Sequence, residues 1–505
     1  MLLSKYNLKN INSPSVQLPD ERLFELPEKV LQFGTGVLLR GLPDYFIDKA
    51  NKQGLFNGRI VVVKSTGTGD SSAFDKQDSL YTICVRGIMN GQPEEANIVC
   101  AAISRILSAK QEWNKVLECA HNPQMQVIIS NTTEVGITLV HDDILRYPPV
   151  SFPGKVLAFL YERYKAFAGS RQCGMVIIPT ELITDNGTKL ESIVTELAYL
   201  NGLDEAFIDW LENCNHFCNT LVDRIVPGKP DEKQKNDIEN SIGYTDELLI
   251  MSEAYRLWAI EGNDEVADIL TFAKADKGVV IAGDINLFRE LKLRLLNGTH
   301  TLSSGLAFLA GCHTVQQAME EPQTAAFISG LMKDEIARAI PGKVDPVVAA
   351  AFADDVLDRF RNPQIAHQWL SITMQYTSKM KMRVVPVLQQ YYSLFNRVPE
   401  HIALGFAAFL VFMKAVKEEN GNYFGKTAGE FYPIRDDQAW YFYDKWQSLQ
   451  PAFIPQAVLQ DVNLWGYDLS RLPGFADAVK EKMEEILEHG MATVLLPARS
   501  SKLTA

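Results

Sequence analysis

Val30-Leu31-Gln32-Phe33-Gly34-Thr35-Gly36-Val37-Leu38-Leu39-Arg40-Gly41 passes from an apolar, β-rich run through two glycines into an amphipathic stretch ending near Asn51. That is the pattern of a strand, a tight turn and a helix. Two glycines there let backbone N–H groups approach a pyrophosphate at the helix N-terminus. The third glycine of Gly-x-Gly-x-x-Gly would fall where Leu39 stands. The turn alone therefore fits an ordinary βα connection equally well. A second β-rich run, Arg59–Lys64, ends where a ribose-binding acid is expected. Lys64 and Ser65 stand there, with Asp70 a few residues on, so a 2′-phosphate is not excluded.

Working outward, Lys29–Phe33, Arg59–Lys64, Gln126–Ser130 and Gly174–Pro179 read as strands separated by helical patterns, which argues for a largely parallel sheet. Ser79–Gly87 and Ala96–Ser104 flank Asn90-Gly91, a strong hairpin dipeptide, and are expected to decorate the sheet edge. From about Tyr244 the strand signals fade, except at Gly278–Ala282, and amphipathic helical patterns take over. The expectation is an α/β chain: a Rossmann-like domain over residues 1–284, followed by an all-α domain over 285–505.

Composition narrows the partners. The 505 residues carry a net charge of −13, which repels phosphate backbones and anionic bilayers, so neither nucleic acid nor membrane is expected as a partner. Seven thinly spread cysteines suggest a reducing compartment. Met1–Glu21 has no apolar signal core, and the apolar run Ile402–Met413 is too short to span a bilayer, which suits a buried helix. Ser501-Lys502-Leu503 resembles a peroxisomal address, but Thr504 and Ala505 follow it. A cytoplasmic protein is expected.

Two stretches carry chemistry. Asn131-Thr132-Thr133-Glu134-Val135-Gly136 follows a strand at the carboxyl edge, where open α/β sheets bind ligands. The second stretch runs from Asn286 to His300. On an α-helix Phe288, Leu291, Leu295 and Leu296 form one apolar stripe, with Lys292 inside it. Desolvation turns a lysine into a base near neutral pH, whereas a snorkelling lysine at the stripe edge is the commoner case. Asn297 and His300 bring an amide and an imidazole to the same helix end, which favours a site. Tyr161-x-x-x-Lys165 reads as a solvated helix face. Cys214-x-His216-x-Cys218 lacks a second Cys/His pair for a tetrahedral metal.

Taken together, Gly34-x-Gly36-x-x-x-Arg40, Asp78-Ser79-Leu80-Tyr81-Thr82, Asn131-Thr132-Thr133-Glu134, Leu221-Val222-Asp223-Arg224-Ile225-Val226 and Lys292-x₄-Asn297-Gly298-x-His300 resemble the mannitol dehydrogenase family of polyol-specific long-chain dehydrogenases. The resemblance runs in order from residue 30 to about residue 385. It implies an expanded Rossmann domain followed by an all-helical domain, NAD as cofactor and no metal. It also implies Lys292 as general base, Asn297 and His300 at the reacting oxygen, and Asp223 beside the substrate. Gly34, Gly36, Arg40 and Asn131 would line the dinucleotide.

Val30–Gly34, Ile129–Gly136, Ile178–Ile183 and Arg359–Pro363 through His367–Ser371 resemble a branch of that family acting on sugar acids. The departures from the mannitol pattern bear on substrate. Glu181-Leu182 replaces an Asp-Asn pair, and Ser371 stands where an arginine is expected, although Lys379 is retained. Lys379, Lys381 and Arg383 form a basic cluster. Lys379 and Arg383 are candidates to hold a carboxylate, the alternative being a solvated basic face. The expected partner is a small sugar acid, and nothing in the pattern demands more than a monomer. A neutral-polyol dehydrogenase and a non-catalytic dinucleotide sensor remain as other readings.

Overall fold

The computed structural model describes residues 1–64, 72–132 and 136–496. It divides into two compact units, Met1–Gly87 with Pro93–Ile285 and Ile88–Gln92 with Asn286–Ala505.

The first unit is built on six parallel strands: β1 (Glu28–Phe33), β2 (Arg59–Lys64), β3 (Ile103–Ser108), β4 (Val127–Ser130), β5 (Val176–Pro179) and β6 (His216–Phe217). Their order is β3-β2-β1-β4-β5-β6. This is the doubly wound arrangement, whose strand order reverses between β1 and β4 and opens a crevice at the carboxyl ends. Ile60, Val61, Val62 and Val63 are fully buried, as expected of strands covered on both faces, which read as unbroken apolar runs. The four strands read from the sequence are all present.

The hairpin forms as expected at its turn, where Asn90 and Gly91 take φ of 53° and 71°, the left-handed pair such turns require. Its place differs. Tyr81–Met89 and Gln92–Cys100 join Val16–Gln17 and Ile250–Glu253 in a separate four-stranded sheet rather than decorating the main one. The run expected as Ala96–Ser104 breaks at Ala101-Ala102, where Asp48 takes the Ala101 N–H (2.8 Å) and the Ala102 carbonyl accepts from Ile60 (2.9 Å). From Ile103 the chain belongs to β3 beside β2. A further sheet pairs Thr220–Asp223 with Leu257–Glu261 and Val279–Ala282. Strands therefore persist past Tyr244, at Ile250–Glu253 and Leu257–Glu261, against the expectation.

In the second unit the helices Thr299–Leu309, Glu400–Phe412 and Phe475–His489 pack together. The apolar run from Ile402 is a buried helix, with Ile402, Phe406 and Phe409 at zero exposure. The unit is not all-α: Lys417–Glu419, Asn422–Thr427 and Glu430–Ile434 form an antiparallel sheet. Its helices also include π-helical segments at Lys292–Gly298, Leu331–Ile336 and Met380–Val384. All seven cysteines are free thiols. No described helix is long and apolar enough to cross a membrane.

Candidate functional site

The functional residues fall into two sets, one in each unit. In the first unit Gly34 follows β1 with φ +126°, and a Cβ there would stand 2.9 Å from Leu39 Cδ1 and 3.4 Å from the Asn131 carbonyl. Only glycine takes that backbone at that distance without strain. Gly36 precedes the helix Val37–Gly41 and faces open space, so a ligand can lie against its backbone. The first N–H groups of a helix have no acceptor within it. This cradle fits a pyrophosphate. Asn131 stands beside Gly34, because β1 and β4 pair Phe33 with Ser130. The Asn131 side-chain amide donates to the Thr180 carbonyl (3.1 Å) and hydroxyl (3.0 Å).

Glu181 braces that turn from below. It is 3% exposed and accepts from Thr132 N (2.7 Å), Thr132 Oγ1 (3.0 Å) and Ser130 Oγ (3.2 Å). Burial pushes its carboxyl above the usual range against those donors. Leu182 is 66% exposed. The buried amide of this region is Asn186, which donates to the Pro179 (3.0 Å) and Glu181 (3.1 Å) carbonyls and so fastens β5. Ser65, Asp70, Thr133 and Glu134 lie outside the described residues.

Arg40 corrects one expectation. It is buried, with its guanidinium donating to the Leu248 carbonyl (2.7 Å) and lying over the Phe74 and Tyr81 rings. That use commits its guanidinium to the interior of the unit. Tyr81 in turn donates to Asp44 (2.9 Å), a fully buried acid whose pKa burial raises to about 7. Asp223 ends the strand Thr220–Asp223 in the same unit and is 6% exposed. Its neighbour Arg224 is locked by the carbonyls of Gly41 (2.6 Å) and Glu253 (2.8 Å).

In the second unit Asn286–Leu291, Lys292–Gly298 and Thr299–Leu309 form one continuous helical rod whose middle is π-helical. This corrects the simple α-helical stripe. Leu291, Leu295 and Leu296 are buried, but Phe288 and Lys292 are only partly so. The π-helix does more for convergence than an α-helix would. Positions i and i+5 lie about 140° apart around an α-helix, whereas i→i+5 hydrogen bonding sets them nearly one above the other. Lys292 and Asn297 are such a pair, and His300 follows one turn on.

A second π-helical segment, Met380–Val384, packs on the first. Pro386, which has no N–H, interrupts the backbone hydrogen bonding just after this segment. Arg294 donates to the carbonyls of Met382 (2.5 Å) and Arg383 (3.2 Å) while Glu290 holds it from the other side (2.9 Å). Arg383 reaches Thr301 Oγ1 (3.1 Å), and that hydroxyl donates to the Asn297 carbonyl (2.7 Å). Lys379, one turn before Arg383, is partly buried and donates to the Ile372 carbonyl (2.9 Å). Burial and the nearby Arg383 charge lower its pKa. Lys381 and Ser371 are exposed, so the basic cluster divides between two faces.

His300 lies flat on Phe360 (ring centroids 4.2 Å apart) and meets His367 (5.2 Å) and Trp369 (6.0 Å) edge-on. Burial, then the charges of His367, Arg359, Arg383 and Lys379, hold its pKa well below the ordinary imidazole value. The structure links Arg383 through Thr301 to the Asn297 carbonyl and brings the charges of Arg383, Lys379 and Arg359 and the ring of His367 to bear on His300. The signal for Arg359 was a basic residue at the end of an otherwise apolar helix face. For Arg294 and Thr301 the sequence offered none.

Known proteins match along the whole architecture. The mannitol dehydrogenase Rossmann domain matches residues 28–274 and the mannitol dehydrogenase C-terminal domain residues 284–487. The chain belongs to the mannitol dehydrogenase family. An altronate oxidoreductase of Bacillus subtilis (strain 168) is 38% identical over 476 residues, covering 93% of this chain and 95% of that protein. A substrate-free D-sorbitol dehydrogenase shares the fold at 20% identity, with TM-score 0.76 over 98% of this chain and 100% of that one. So does the Pseudomonas fluorescens mannitol 2-dehydrogenase in ternary complex with NAD and D-mannitol, at 22% identity, with TM-score 0.64 over 98% of this chain and 99% of that one.

Proposed function

We propose that the protein is an NAD-dependent altronate oxidoreductase, interconverting D-altronate and D-tagaturonate. The observation that carries this reading is the basic face of Lys379 and Arg383 joined, through Thr301, to the turn bearing Asn297 and His300. A carboxylate is well held by two cations at that place. The 38% identity to an altronate oxidoreductase over nearly the full length points the same way.

Gly34, Gly36 and Asn131 would hold the dinucleotide, which supplies hydride to the ketone or accepts it from the carbinol. Lys292 takes the hydroxyl proton in oxidation and returns it in reduction. Asn297 and His300 hold the reacting oxygen by donating to it as negative charge develops. His300 does this as neutral imidazole, the form its surroundings favour. Asp223 is assigned to a substrate hydroxyl. The domain division that follows is a dinucleotide domain over residues 1–284 and a substrate domain over 285–505.

The test is loss of NADH absorbance with D-tagaturonate, beside D-fructuronate and D-fructose, repeated with NADPH. Rapid turnover of tagaturonate with NADH alone is expected. Preference for fructuronate or fructose would move the protein to another member activity, and NADH binding without turnover of any sugar would favour a sensor.

A further inference from the structure

His367 has no part in the mechanism above, yet it stands against His300 and feels the charge of Lys379. Its backbone is pinned on both sides: its carbonyl accepts from Val315 N (3.0 Å), and the Trp369 N–H donates to the His313 carbonyl (3.0 Å). Trp369 itself is fully buried. The imidazole is therefore carried on a fixed loop and directed edge-on at His300, 5.2 Å between ring centroids, while remaining partly exposed.

The groups that face this pair come from three elements. The helix Thr299–Leu309 contributes His300, the helix Pro346–Phe360 contributes Arg359, and the segment Tyr376–Val384 contributes Lys379 and Arg383. The acid nearest Lys379 is Asp436, and its carboxylate is engaged by Thr377 N (2.7 Å), Thr377 Oγ1 (3.0 Å) and Gln438 N (2.8 Å). Without an anion, protons are disfavoured on both imidazoles: burial and then Lys379 lower the pKa of His367.

We propose that His367 completes the carboxylate site, taking one proton from solvent as the sugar acid binds and donating it as a charge-assisted hydrogen bond to the substrate carboxylate. This rests on the sugar-acid reading given above. A carboxylate brought within about 4–6 Å of an imidazole favours its charged form. It also offsets the repulsion from Lys379. A neutral ketose or hexitol brings no such charge, so the linked proton adds discrimination that fixed cations alone do not supply. His367, the more exposed of the two rings, is the one a solvent proton reaches.

The experiment is calorimetric titration of D-altronate into the enzyme saturated with NADH, which cannot react with it. It is run at pH 7 in two buffers of different ionisation enthalpy. The wild type should take up a substantial fraction of a proton, while His367→Gln and His367→Asn take up almost none. KM for D-tagaturonate should rise by up to about tenfold per pH unit above neutrality in the wild type and stay flat in both variants. Absence of proton uptake in the wild type overturns the proposal whatever the variants do. Uptake unchanged in folded variants also overturns it, assigning the proton to His300 or Lys292. In both cases continued turnover of tagaturonate leaves the sugar-acid reading standing. That reading fails separately if the wild type neither binds altronate nor reduces tagaturonate.

Discussion

The glycine turn of the first unit and the π-helical rod of the second reach the same end, a set of converging polar groups, by opposite local means. At Gly34 the backbone is held at φ +126° with no room for a Cβ, so one residue type dictates the geometry. At Lys292–Gly298 no residue type is compulsory, and the geometry comes from a widened helix repeat that brings position i+5 over position i. A site written in a residue's conformational range is visible in sequence. A site written in helical pitch shows its residues in the spacing but not how they converge, because the same residues also read as an ordinary α-helix.

Five substitutions sharpen the contrast, in order of expected effect. Lys292→Ala should lower kcat by about 10²- to 10⁴-fold, the usual reach of proton-transfer catalysis, with NADH affinity by fluorescence titration nearly unchanged. Loss of NADH affinity instead would show that the rod serves the cofactor. Gly34→Ala should do the converse, weakening NADH binding by tenfold or more. It should also lower Tm, since a forced positive φ costs about 1–3 kcal/mol. Thr301→Val removes the link between Arg383 and the Asn297 carbonyl. A rise of several-fold in KM for tagaturonate with kcat little changed is expected from initial rates.

The smallest effects are in the pH dependence of stability, and the two units differ in sign. The Asp44 pKa is raised from 3.8 to about 7. Between those values the native state holds a proton the unfolded chain has released, so its contribution is full at low pH and lost as pH rises through about 7. Tm of Asp44→Asn should therefore fall less than that of wild type between pH 5 and 8. His300 is depressed from 6.5, so below that value the unfolded chain takes a proton that the native state refuses. Its contribution is lost as pH falls, and His300→Asn should flatten the Tm profile between pH 7 and 5. Profiles parallel to wild type in both variants would remove these groups from the account.

Unbroken apolar runs separated by helical patterns made β1, β2, β4 and β5 legible, and spacing singled out Lys292, Asn297 and His300 as candidates. What escaped has physical reasons. The strands Lys417–Glu419 and Asn422–Thr427 are mostly polar and largely exposed, although Asn420-Gly421, with φ of 52° and 78°, was a turn signal to be read. Arg40 looked like a ligand of the turn because it follows Gly34 and Gly36 closely in sequence. The Leu248 carbonyl and two aromatic rings that claim it are distant in sequence. Arg294 became meaningful only with the Met382 carbonyl, 88 residues away, to which it donates.

The central claim is that the helical unit reads a carboxylate through Lys379 and Arg383 while Lys292 moves the proton. The most direct test is the ratio of kcat/KM for D-tagaturonate to that for its neutral ketose, D-tagatose, in wild type and in the Lys379→Ala/Arg383→Ala double variant. The account predicts a collapse of that ratio by at least about a hundredfold, each lost charge-assisted contact costing about 1.5–3 kcal/mol, with turnover of the neutral sugar little altered. An unchanged ratio, with both substrates slowed alike, would contradict it.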